Sequence, residues 1–127
     1  MTEEGNTNFT PAGPISTQPS LISIEEFQRL SIRTGIVTAA TDHPNADRLL
    51  VLTVDVGEST PRQLVAGIKG HYNASELVGK CVAVVTNLKP ATLRGVESQG
   101  MALAATDGPS IVLLGPDKPV RAGSIIK

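Results

Sequence analysis

Apolar and polar residues alternate with a period of two through much of the chain. From Leu49 to Val56, the side chains of Leu50, Leu52, Val54 and Val56 fall on one face, and those of Val51, Thr53 and Asp55 on the other. That pattern predicts a half-buried strand. The same texture predicts strands over Arg33 to Ala40 (interrupted by Gly35), Gln63 to Gly67 (after a turn at Gly57 to Pro61), Lys80 to Thr86, and Gly100 to Ala105. Between the third and fourth strands, Asn73 to Gly79 reads as one helical turn stopped by glycine. Ahead of the first strand the period lengthens. Ser23-Ile24-Glu25-Glu26 has the capping-box arrangement, which predicts a short helix to about Leu30. Ile24, Phe27 and Leu30 share one face of it, so the helix needs an apolar surface to rest on, its own domain's or a partner's.

Five short strands with a helical connection between the third and fourth match the oligonucleotide/oligosaccharide-binding barrel, the OB-fold. The expected class is therefore all-β: a five-stranded OB-fold barrel with a short N-terminal helix and a C-terminal extension. The extension is needed because Ile111 to Leu114 and Ile125-Ile126 are apolar beyond what five strands require, and must be covered on the barrel or at a subunit interface. Residues 1 to 20, rich in Thr, Asn, Gly, Pro, Ser and Gln, read as a flexible tail, leaving 21 to 127 as one domain.

At 127 residues the chain can bury a core without staples. One cysteine, Cys81, excludes a disulfide scaffold, and Cys81 with two histidines cannot supply the usual structural zinc set. No metal or other cofactor is expected. No apolar run is long enough to span a bilayer and the first residues lack the marks of a leader, so a cytoplasmic protein with no membrane partner is expected. Eleven basic and twelve acidic side chains leave a formal net charge of −1, which argues against indiscriminate nucleic-acid binding. Attraction to phosphate must come from local grouping, and doubling the site by dimerisation would matter. Scarce aromatics also count against a run of base-stacking platforms.

Two segments are candidates for chemistry. Asp42-His43-Pro44-Asn45-Ala46-Asp47-Arg48 joins the first two strands and reads mainly as a structured turn, with Arg48 at the mouth of the second strand as a candidate phosphate contact. Asn87 to Met101 is a long loop on an edge where this barrel commonly grips ligands. In it Lys89 offers a mobile point charge, and Arg94 a guanidinium that can clamp a phosphate or stack on a base. Asn87, Ser98 and Gln99 offer groups for ribose or base edges, while Gly95 and Gly100 permit unusual backbone angles. Spacing alone equally allows Lys89 and Arg94 to be solvated surface charges. Arg33 belongs to a looser basic set, and Tyr72 either stacks on a flipped-out base or packs its ring and wets its hydroxyl. Met101 is expected in the core. No triad arrangement or phosphate-gripping GxxxxGK[ST] motif is found, so no enzyme activity is expected.

The runs Ile32 to Val37, His43 to Leu49, Val54 to Gly57, Arg62 to Ile68 and Asn87 to Met101 resemble, in order, the tRNA-binding domain family. That family occurs as free-standing homodimers, as the C-terminal extension of methionyl-tRNA synthetases, and in eukaryotic synthetase-associated cofactors. The resemblance covers about residues 24 to 127. It implies a barrel that dimerises through its N-terminal helix and C-terminal extension and binds tRNA or structured RNA by shape, without acylating it. It implies binding roles for Arg33, Asn87, Lys89, Arg94 and Ser98, with Met101 shaping the loop, and an aminoacyl-tRNA synthetase as a further partner. Ile36 departs from the pattern, since members that bind tRNA firmly usually carry a basic residue after the glycine of the first strand. A related branch resembles an export-associated, peptide-binding chaperone homodimer. A synthetase-docking module is the other alternative.

Overall fold

The computed structural model describes residues 19–127; most of the expected tail, residues 1 to 18, lies outside the described residues. Helix α1 (Ile24–Phe27) opens on the expected capping box, with the Glu26 amide donating to Ser23 Oγ at 3.0 Å and the Ser23 amide donating to Glu26 Oε1 at 2.9 Å. It stops earlier than the periodicity predicts. After Phe27 the chain tightens into i to i+3 bonds, the Leu30 amide donating to the Phe27 carbonyl at 3.1 Å.

Strand β1 (Ile32–Asp42) is the hub, pairing antiparallel with β2 (Leu50–Asp55) on one side and β4 (Cys81–Val85) on the other. Strand β3 (Arg62–Ala66) pairs with β2, and helix α2 (Ala74–Leu77) leads to β4 as expected. After β4 come β5 (Ala91–Leu93) and β6 (Val96–Ser98), which form a hairpin. Then β7 (Met101–Ala102) pairs with β4, giving the sheet order β3-β2-β1-β4-β7 of a nearly closed five-stranded antiparallel barrel.

The interior is the alternating set anticipated from sequence: Leu50, Leu52, Val54 and Val56 are buried with Val37, Leu64, Ile68, Leu77, Val82 and Val84. Strand β4 is apolar on both faces for a physical reason. Val82 and Val84 point into the barrel, while Ala83 and Val85 join Ile32 in a second cluster covered by Phe27, Leu103 and Ile126.

The last expected strand, Gly100 to Ala105, is split. Only β7 belongs to the barrel; the Leu103 amide still donates to the Ala83 carbonyl of β4 at 2.9 Å, and beyond it β8 (Ala104–Asp107) pairs with β9 (Ser110–Leu113) instead. The Ile111 to Leu114 stretch is thus accounted for, with Ile111 and Leu113 packed on the core. Ile125-Ile126 is β10 (Ile125–Ile126), which pairs with β1 at its Ile32 end. The C-terminal extension is therefore an integral cover for the outer face of β1 and β4.

Candidate nucleic-acid interface

The long segment after β4 is tied by hydrogen bonds at both ends and through a hairpin between them. The hairpin pairs Ala91 with Ser98, Thr92 with Glu97 and Leu93 with Val96, leaving Arg94-Gly95 as a two-residue turn. Both turn residues have positive φ, 54° at Arg94 and 89° at Gly95. This matches the twist that antiparallel strands require, but asks a non-glycine residue to adopt a left-handed conformation. The first-strand loop meets this tip. His43 Nε2 lies 2.9 Å from the Leu93 carbonyl, the Asn45 amide donates to His43 Nδ1 at 2.9 Å, and Asn45 Nδ2 donates to the Arg94 carbonyl at 3.4 Å. Because a backbone amide can only donate, Nδ1 is the acceptor, and a neutral ring carries its proton on Nε2, aimed at Leu93.

The ends of the segment converge on one side chain. Arg62 Nη1 donates to the Thr86 carbonyl at 2.6 Å and to the Gln99 carbonyl at 2.9 Å, while Nε and Nη2 each reach a carboxylate oxygen of Glu58 at 2.8 Å. The guanidinium hydrogen bonds hold the Glu58 carboxyl below its ordinary value, and the carboxylate correspondingly raises Arg62. A seam of side-chain bonds joins β3 to the hairpin where backbone pairing is incomplete. The Gln63 amide donates to Gln99 Oε1 at 2.9 Å, Gln63 Nε2 to the Glu97 carbonyl at 2.7 Å, and the Val65 amide to Ser98 Oγ at 2.9 Å.

Lys89, Ser98, Gly100 and Met101 come together around a shallow trough of about 260 Å³, whose other walls are Val65, Leu88, Ala91 and Leu93. Arg94 and Gly95 form the turn beside Leu93, so the hairpin candidates share one edge of the barrel. Met101, expected in the core, is 48% exposed at this trough, because β7 is an edge strand whose Ala102 faces inward in its place. Ser98 is only 5% exposed, and its hydroxyl donates to the Gly100 carbonyl at 3.0 Å while accepting from Val65. It braces the trough from behind. Gly100 is required by close packing, as a Cβ there would sit 2.9 Å from the Val85 carbonyl oxygen.

Arg33 and Asn87 belong to a neighbouring region. Asn87 Oδ1 accepts from the Ser31 amide at 2.8 Å and its Nδ2 donates to the Arg29 carbonyl at 2.6 Å, tying the exit of α1 to the start of the long segment. Arg33 Nη1 donates to the Gly123 carbonyl at 3.0 Å and lines a groove of about 310 Å³ with Phe27, Leu30, Ile125 and Ile126. Tyr72 does not present a free stacking face. Its ring is half-buried on the core and its hydroxyl accepts from the Leu113 amide at 3.0 Å, holding the β8–β9 hairpin. Arg48 is exposed on the first-strand loop, where its carbonyl accepts from the Lys69 amide at 3.3 Å.

Among the described residues the ion pairs are Arg62–Glu58 and Lys69–Asp42, so Lys89, Arg94 and Arg48 have no described carboxylate partner. The described residues hold no group of three or more metal-ligating side chains, and Asp42, His43 and Asp47 do not meet around a common point. Burial pushes the Cys81 thiol up, keeping it protonated and a poor nucleophile. Sequence reasoning missed Arg62 and gave His43 only a turn's role. Their bonds to the long segment have no local signature, since those partners lie 24 to 50 residues away.

A five-stranded barrel with cations on the edge between its last strands is an oligonucleotide-binding type of domain. A family profile described as "Putative tRNA binding domain" matches residues 32–125, and the chain belongs to that family. It is 52% identical over 106 residues to the methionine–tRNA ligase of Thermococcus kodakarensis, a match covering 84% of this chain and 14% of the ligase. The chain thus spans about one seventh of the length of such relatives. Among solved structures, a MetRS-related protein from Pyrococcus horikoshii superimposes with a TM-score of 0.79 at 33% identity, covering 86% of this chain and all of that one. The chaperone CsaA from Bacillus anthracis does so with 0.77 at 29% identity, covering 85% of this chain and all of that one.

Proposed function

We propose that this protein binds tRNA or similarly structured RNA without catalysing a reaction on it, and that it does so as a homodimer. The observation that carries this reading is the pairing of exposed Lys89 and Arg94 on one braced edge of a barrel that belongs to a tRNA-binding domain family. Rigid backbone around mobile cations suits phosphate contacts that recognise shape. The apolar trough beside Lys89 offers a place for one unstacked base.

Dimerisation is supported by an apolar strip at the other end of β1. Ile22, Ile24, Leu30 and Ile125 are all exposed, and Leu30 and Ile125 line the groove between α1 and β10. An isologous contact there would cover them and set two long segments on one assembly, because Asn87 joins α1 directly to that segment. On this reading the protein works in the cytoplasm, and the synthetase relatives support an aminoacyl-tRNA synthetase as an additional partner.

The likeness to the chaperone CsaA and the apolar trough favour an unfolded polypeptide as the alternative ligand. Fluorescence anisotropy with labelled tRNA and labelled unfolded peptide, side by side, separates the two. The RNA reading expects saturable tRNA binding that Lys89→Ala and Arg94→Ala weaken. Peptide binding that displaces tRNA, and that Leu88 or Met101 substitutions weaken more than Lys89→Ala, would replace it.

A further inference from the structure

The turn that carries Arg94 is held in a conformation its own sequence disfavours. Two-residue hairpin turns with positive φ at both positions normally take Asn, Asp or Gly at the first, and Arg94 has φ 54° there. A residue in the left-handed region persists when its surroundings over-determine it. Here the surroundings centre on a buried histidine ring and its neighbour Asn45. His43 is 4% exposed, and it bonds in two directions: Nδ1 accepts from the Asn45 amide and Nε2 reaches the Leu93 carbonyl, 50 residues along the chain. Asn45 adds its own bond to the Arg94 carbonyl, so carbonyls of consecutive residues are gripped by one loop.

We infer that His43 and Asn45 are positioning residues for RNA recognition, holding the Leu93-Arg94 backbone so that the Arg94 guanidinium is presented from one fixed base. The inference rests on the reading of Arg94 as an RNA contact. The bonds have distinct jobs. The Nδ1 bond closes a local turn of the kind that asparagine makes with the amide two residues on, whereas the Nε2 bond is the latch to the hairpin. An asparagine at position 43 keeps the first and is too short for the second. A glutamine reaches further and can donate to Leu93.

Affinity for labelled tRNA is measured at fixed low salt for wild type, His43→Asn, His43→Gln, Asn45→Ala and Arg94→Ala, and for His43→Asn combined with Arg94→Ala. Losing one neutral hydrogen bond at the latch should weaken binding about three- to tenfold in His43→Asn. His43→Gln should stay closer to wild type, and His43→Asn should cost little more once Arg94 is already alanine, because the two act through one contact. Exchange of the Gly95 and Val96 amides should quicken in His43→Asn while β2 amides stay protected. If His43→Asn fails to melt cooperatively, Asn45→Ala, on an exposed side chain, makes the same comparison with Arg94→Ala. Wild-type affinity in Arg94→Ala would overturn the site itself. A weakened Arg94→Ala beside an unchanged His43→Asn, or losses that simply add in the combined variant, would overturn the latch and leave the site standing.

Discussion

Gly35 lies in β1 where that strand crosses the barrel interior, and its missing side chain is a packing requirement. A Cβ built there would come within 2.5 Å of Val54 Cγ1 and 3.1 Å of both Val56 Cγ1 and Val84 Cγ2, all on buried residues. Gly35→Ala should therefore destabilise by about 1 to 3 kcal/mol through overpacking, read as a lower denaturant midpoint with unchanged m-value. At the opposite extreme, Arg94 makes no described ion pair and has an exposed side chain. Its replacement by alanine should leave the melting midpoint nearly unmoved while weakening tRNA binding by about 1 to 3 kcal/mol if the contact to phosphate is bidentate. Titration calorimetry or anisotropy measures the second quantity, and unchanged affinity in a folded variant would remove Arg94 from the site.

The hairpin and its clamp show which parts of the fold were legible in the sequence. Strands β1 to β4 and α2 could be read because their signals are local: a period of two, glycine stops, and a run of β-branched residues. The same alternation placed Leu50, Leu52, Val54 and Val56 in the core. Strands β5 and β6 could not be read, since three-residue strands carry too little periodicity and Arg94-Gly95 lacks the Asn-Gly signature of its turn. Tyr72, Ser98 and Met101 could be placed on their segments but not oriented, because their partners arrive from distant segments or from an edge strand's geometry. Arg62 is the extreme case, holding the carbonyls of Thr86 and Gln99 across the seam between β3 and the long segment. Arg62→Ala should cost about 1.5 to 3 kcal/mol, as charge-assisted bonds are lost and the Thr86 backbone, which is buried, is left short of a donor. Hydrogen exchange should quicken first at the long segment's ends. Its partner Glu58 has a carboxyl lowered below the ordinary 4.5, so the unfolded state binds the proton more readily. The stabilisation is present above that ordinary value and is lost as pH falls through the folded one. Thermal melts should show a small acid-side loss in wild type that Glu58→Gln lacks, screened by salt because the carboxylate is half-exposed.

The whole molecule must reconcile a net charge of −1 with attraction to a polyanion. On the proposed reading it does so by local grouping, with exposed Lys89, Arg94 and Arg48 outside the described ion pairs of Glu58 with Arg62 and Asp42 with Lys69. One barrel then offers few phosphate contacts, and on the proposed reading a second barrel paired through the α1–β10 strip would double them. Ile125 is 66% exposed, so Ile125→Glu should leave the fold intact, give the mass of one chain by sedimentation, and weaken tRNA binding. The most direct test of the central claim is the salt dependence of tRNA affinity for the wild-type chain beside Ile125→Glu. If about six phosphates are neutralised across the dimer, log affinity should fall against log salt with a slope of roughly −4 to −5, and with about half that slope in the monomeric variant. A flat profile for the wild type, or identical slopes in the two proteins, would contradict the account.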